Sequence, residues 1–309
     1  MRALMLIFLT CIVACVNAAE YSAATGNDAE PRVVEIDNYK DALALFDELG
    51  YTSEAWQAGI RVVPRVYLTE ISDQWSKKTS QEIDVTLKKR LFFRAIGPLA
   101  LRNNELVLQD REKLQALLAQ PDSGTAADRE WFANLLQDYG LDPADYADKA
   151  KLGEALLKRV DVIPPSLVLA QAAEESGWGT SRFAFTGNAL FGQWTWGGQG
   201  IRPEQQRSGR GDYKIAAFDA PLQSVQAHAR NLNTHNAYAQ FRTKRAQLRA
   251  NNERISGNKL VDALSSYSER GLDYVKSLRS IISYNNLDDT DDAYLNKGQP
   301  IVLIPPLKR

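Results

Sequence analysis

Two adjacent glutamates, Glu174 and Glu175, stand where an apolar run stops. The run Ser166-Leu-Val-Leu-Ala-Gln-Ala-Ala-Glu-Glu175 has helical spacing; Pro164 and Pro165 start it and Ser176-Gly177 ends it. A carboxyl at the C-terminal end of a helix meets the negative pole of the backbone dipoles, and burial beside apolar neighbours penalises its charged form. Both effects raise its pKa, and an acid that stays protonated near neutral pH is what acid-catalysed glycoside cleavage needs. Glu175 shares a face with Val168, Gln171 and Ala172, whereas Glu174 lies over Leu167 and Ala170. Periodicity leaves the choice between them open, and a plain solvated helix end is the competing explanation.

Composition narrows the other chemistry. The 309 residues carry 37 basic against 38 acidic side chains, a net charge of −1 that gives no reason to expect a nucleic-acid partner. Both cysteines, Cys11 and Cys15, lie near the start, which excludes a disulfide scaffold, a cysteine nucleophile and a thiolate metal site from the body of the chain. His228 and His235 occur in no metal-binding frame, so neither a metal nor a cofactor is expected; both are read as structural. Catalysis is left to carboxylates and tyrosines.

The elements that must position such an acid read as mostly α, an α+β chain with one small β element. Residues 1–18 have the form of a secretory signal, with Arg2 ahead of a short apolar run and cleavage expected after Ala18. Ile12-Val13-Ala14-Cys15 also fits a permissive lipobox, which would tether the chain to a membrane through Cys15. Export to the periplasm or cell envelope follows from either reading. A flexible linker is expected over 19–35, a mainly helical region over 36–150 and a tail over 288–309. Helical periodicity marks Tyr39–Leu49, Ser80–Leu118 (broken or kinked by Pro98), Ala127–Tyr139, Asp142–Val160, Leu222–Asn233 and Gly257–Tyr267. Pro121–Thr125 reads as a turn, Val62–Leu68 as an edge strand or extended loop around Pro64, and the glycine-rich stretch before Tyr213–Phe218 as a hairpin.

The block Leu169-Ala-Gln-Ala-Ala-Glu-Glu-Ser-Gly-Trp-Gly179, followed by Gly187-Asn-Ala-Leu-Phe-Gly192, resembles the bacterial N-acetylglucosaminidases of the flagellar-muramidase type, glycoside hydrolase family 73 of the lysozyme-like superfamily. The resemblance covers about 151–287 and implies a lysozyme-like catalytic domain there. It selects Glu175 as the acid, since that residue precedes Ser176-Gly177-Trp178-Gly179, and it places Gln171, Asn188 and Phe191 along the cleft. Val63–Leu68 and Phe92–Glu105 resemble the N-terminal part of the Bax-like envelope members of the group. The segments around Tyr238 and Tyr267 also match, but Glu269-Arg270 replaces the family's threonine–aspartate step.

The resemblance further implies a second glutamate on the hairpin; Glu204 is favoured over Asp212, with the substrate's own 2-acetamido group as the alternative helper. Tyr267 would orient water or steady the oxocarbenium-like centre, and Tyr238 would meet substrate. Trp178, Trp194 and Trp196 are candidates to stack on sugar faces, although the place of Trp178 directly behind the helix end also suits packing. The expected activity is hydrolysis of peptidoglycan glycan strands at β-1,4 bonds, on the reducing side of N-acetylglucosamine. Rival readings are a lytic transglycosylase, a non-catalytic envelope binding or scaffold protein, and an endoglycosidase of glycoprotein sugars. The sequence names no protein partner.

Overall fold

The computed structural model describes residues 30–120, 124–209 and 211–306. The expected leader with Cys11 and Cys15, most of the linker, and part of the Pro121–Thr125 turn lie outside the described residues. The described residues are mostly helical with three small sheets, an α+β layout. It divides into two compact units, neither continuous in sequence. The first comprises the described residues up to Arg102, Val168–Val225 and those from Asp292 on; the second comprises Asn103–Leu167 and Gln226–Asp291.

In the first unit, Asn38 caps helix α1 (Tyr39–Glu48), and Asp41 completes a reciprocal capping box. A short helix α2 (Ser53–Gln57) follows, with Thr52 as its cap. The expected strand around Pro64 divides into β2 (Val62–Val63) and β3 (Val66–Leu68). Strand β1 (Arg32–Glu35) and β3 both pair in parallel with β8 (Ile301–Ile304), which makes β8 the central strand of its sheet. Strand β2 pairs in parallel with β7 (Tyr294–Leu295). The expected tail is therefore structured: Tyr294–Leu295 and Ile301–Ile304 complete two sheets whose partner strands lie between residues 32 and 68. The core beneath gathers Leu45, Phe46, Val66, Leu91, Ile301 and Leu303.

Helix α3 (Val85–Ala119) continues through Pro98. Proline removes one ladder donor, but Ile96, Leu99, Ala100 and Arg102 around it are all buried, and this tertiary enclosure outweighs the local cost. The second unit packs α3 beyond Arg102 with α4 (Ala126–Asp138) and α5 (Lys149–Arg159) around Leu114, Leu135, Leu152 and Leu156. The expected helix from Asp142 is instead a single 3-10 turn at Pro143–Asp145 before α5.

A buried charge cluster fixes the end of α5. Asp161, almost fully enclosed, meets Arg249 at 2.8 Å and Arg111 and Arg245 at 3.7 Å each. Burial alone would raise its pKa; the Arg249 hydrogen bond and the charges of Arg245 and Arg111 outweigh that and hold it low.

Candidate active site

Helix α6 (Pro165–Ser176) carries the paired glutamates. Proline at its first position lacks only a donor that would be unsatisfied anyway. The apolar residues Leu167 to Ala170, Ala172 and Ala173 are at most 1% exposed, and Gln171 is wholly buried. Within α6 only Glu174 and Glu175 reach partial exposure, so the helix presents carboxylates at one end of an otherwise enclosed rod.

The exit from α6 is tightly specified. Ser176 donates through Oγ to the Ala172 carbonyl (2.5 Å) and accepts from the Gly179 amide (2.8 Å). Gly177, Trp178 and Gly179 all have positive φ, a backbone that glycine adopts readily and tryptophan only under constraint. That constraint comes from a π-helical segment, Trp75–Thr79. Trp75 Nε1 donates to the Trp178 carbonyl (2.9 Å), and Ser76 Oγ to the Thr180 carbonyl (2.6 Å). The Trp178 ring meets Phe92 and Phe93 edge-on, with Lys89 Nζ 5.1 Å from its centre. Trp178 is thus packed on these rings and remains half-buried. Sequence reasoning did not reach Trp75 and Ser76; their segment carries no motif and lies about a hundred residues away.

Three residues expected to line the cleft have little exposed surface. Gln171, Asn188 and Phe191 are all buried. Asn188, left-handed at the end of α7 (Arg182–Gly187), accepts from the Ile71 amide (2.9 Å) and donates to the Phe218 and Asp219 carbonyls (3.1 and 3.2 Å). Its amide is occupied by backbone because the G-N-x-L-F-G turn must be fixed against two other segments.

The expected hairpin is a three-stranded antiparallel sheet, with β6 (Lys214–Ala216) between β4 (Trp194–Thr195) and β5 (Gly200–Ile201). Trp194 stacks on Tyr213, rings 4.1 Å apart, and Arg207 lies over its ring at 5.5 Å. Trp196 meets Trp194 edge-on and is 66% exposed, leaving a flat apolar face toward solvent. Of the two hairpin acids, Asp212 is engaged by both Arg202 contacts (2.7 Å) and by Gln206 (2.9 Å). The Gln206 hydrogen bond, then the Arg202 charge, holds its carboxyl below the usual range. Glu204 is highly exposed, with Oε1 3.6 Å from Arg182 Nε.

The candidate aromatic residues of the second unit form a cluster of their own. Tyr267 stacks on Tyr274 (5.4 Å, 4°) and lies 5.8 Å from Tyr238. Its hydroxyl is 3.4 Å from Nδ1 of His228, on α8 (Pro221–Thr234). His228 is fully buried, and desolvation pushes its pKa down to about 3, so the ring is neutral at working pH. His235 lies beside Tyr238 and caps the turn Asn236–Tyr238. Among the described residues, no three His, Cys, Asp or Glu side chains gather as a metal site would require, and no helix is long and apolar enough to cross a membrane.

Helix α6, its left-handed exit and the aromatic hairpin all fall within residues 150–287, which match the family model of the glucosaminidase domain, described as mannosyl-glycoprotein endo-beta-N-acetylglucosaminidase. The chain is 32% identical over 189 residues to Protein bax of Escherichia coli (strain K12), a match spanning 61% of this chain and 66% of that protein. Residues 150–287 therefore carry a glucosaminidase domain, and the chain is Bax-like over a stretch that spans just under two thirds of that relative's length. Among solved structures it is similar to the catalytic domain of the autolysin Auto from Listeria monocytogenes, with a TM-score of 0.38 and 16% identity, covering 68% of this chain and 92% of that one.

Proposed function

We propose that the protein is an exported peptidoglycan hydrolase, cleaving β-1,4 bonds on the reducing side of N-acetylglucosamine with Glu175 as general acid. The observation that carries this is the exposure pattern of α6: an enclosed helix that lets only Glu174 and Glu175 reach its surface, inside a matched glucosaminidase domain. Glu175 protonates the leaving oxygen. Either Glu204 or the substrate's acetamido group then assists from the other side. The exposed Trp196 supports stacking on a sugar face. The leader supports action outside the cytoplasm, with Cys15 as a membrane tether if it is lipidated.

The exposure of Glu204 gives weight to a second reading, a lytic transglycosylase that needs one acid and leaves an anhydro sugar. Digesting purified peptidoglycan with the wild type, Glu175→Gln and Glu204→Gln, and identifying product ends by mass spectrometry, separates the two. Reducing N-acetylglucosamine ends that vanish with Glu175→Gln support the hydrolase. Anhydro-muramic ends, with Glu204→Gln silent, would replace it with the transglycosylase. No release by the wild type across substrates would point to a scaffold.

A further inference from the structure

Apart from the glutamate-bearing helix, the first unit contains a cavity of about 180 Å³. Its walls are mostly apolar, chiefly Ile36, Phe46, Leu68, Leu91, Phe92 and Ile304. Apolar cavities of roughly 150 Å³ accept a benzene-sized ring, so this one has room for about one phenyl group. Its charged lining is of one sign. Asp37 and Glu70, both exposed, contribute carboxylates, and the lining contains no lysine, arginine or histidine. Among the described residues no cation pairs with either carboxylate. An apolar chamber with an acidic rim favours an apolar body bearing a positive head and repels one bearing a carboxylate.

We propose that this cavity binds a small amphiphilic amine, its apolar body among Phe46, Leu91 and Phe92 and its ammonium group at the rim with Asp37 and Glu70. The site is also wired to the turn that follows Glu175. Trp75 and Gly179 both line it, and Trp75 is the residue that holds the Trp178 carbonyl. A Cβ added to Gly179 would meet Trp75 Nε1 at 3.3 Å and the Phe92 ring at 3.4 Å, so the wall and the turn are in direct contact. A ligand pressing on Trp75 and Phe92 therefore bears on the backbone that leaves the acid-bearing helix.

Calorimetric titration of the full chain with 2-phenylethylammonium, 2-phenylethanol and 3-phenylpropanoate tests the site independently of glycan cleavage. The expected order is amine, then alcohol, then acid, with the amine at least about tenfold tighter than the acid. The double variant Asp37→Asn/Glu70→Gln, which alters only exposed side chains, should reduce that preference to less than about threefold. Ala42→Phe, which fills the cavity from α1, should weaken the amine at least about tenfold. If Ala42→Phe does not fold, the charge variant decides alone. Three results would each overturn the proposal: no binding by any probe, equal binding of amine and acid, or amine binding unchanged in either folded variant.

Discussion

At the scale of single residues, the proposed chemistry rests on Glu175, half-buried beside Glu174 at the end of an otherwise enclosed helix. Glu174 and Glu175 share that exposure, yet only Glu175 adjoins the serine whose hydroxyl closes the helix. Glu175→Gln should lower kcat on peptidoglycan by about 10³-fold with the melting temperature unchanged, the size of a lost general acid. Glu174→Gln should stay within about threefold of wild type; release of soluble muropeptides measures both. His228 makes a second point. Its depressed pKa means that the folded state refuses a proton that the unfolded chain accepts. Its contribution to stability is therefore complete above the ordinary histidine range and is lost as pH falls toward about 3. Nitrogen NMR of the ring should show a neutral tautomer at pH 5, and a charged imidazolium there would contradict the burial of the Tyr267–His228 pair.

At the scale of elements, α6 shows what a sequence can and cannot reveal. Pro165 and the Ser176-Gly177 stop mark its ends through local chemistry alone, and the structure places the helix at Pro165–Ser176. Its N-terminal anchor is not local: Asp291 accepts from the Ser166 amide (2.8 Å) and hydroxyl (2.7 Å) and from the Gly257 amide (2.9 Å). No spacing rule connects an aspartate to a helix start 125 residues earlier. The same reason hides the Asn188 clip and the Trp75 hydrogen bond, both of which depend on tertiary neighbours. The Asp291 anchor carries a measurable sign. Burial raises its pKa to about 6 despite the donors around it, so between about 3.8 and 6 the folded state binds more protons than the unfolded one. Its contribution to stability is fully present at low pH and falls by about 3 kcal/mol as pH rises through that window. In Asp291→Asn this fall should disappear from urea-unfolding free energies measured at pH 4, 5, 6 and 7. The variant should also be weaker at pH 4 by about 1–2 kcal/mol, because its amide nitrogen faces the Gly257 donor.

At the scale of the whole molecule, the chain closes on itself through strands too short to announce themselves. Ile301-Val-Leu-Ile304 is only a β-branched run at the end of the sequence, yet β8 supplies the pairing for both β1 and β3. Strands of two to four residues leave no alternation to read, and parallel pairing between distant segments has no hairpin turn to signal it. That is why one β element is legible in the sequence while the described residues form three sheets. The consequence is that Ile301–Ile304 are structural. Ile301, Val302 and Leu303 are each at most 5% exposed, and fully burying an aliphatic side chain contributes about 1.5–3 kcal/mol. Losing all three approaches the net stability of an ordinary domain, about 5–15 kcal/mol, and leaves the edges of β1 and β3 unpaired as well. A chain ending at Pro300 should therefore lose the β1–β8–β3 sheet and become protease-sensitive across residues 30–102. Leu303→Ala should keep the fold at a cost of about 2–5 kcal/mol. Limited proteolysis of the truncation and urea unfolding of Leu303→Ala check the two. A truncated chain as resistant as the full one would mean that the termini do not hold the first unit together.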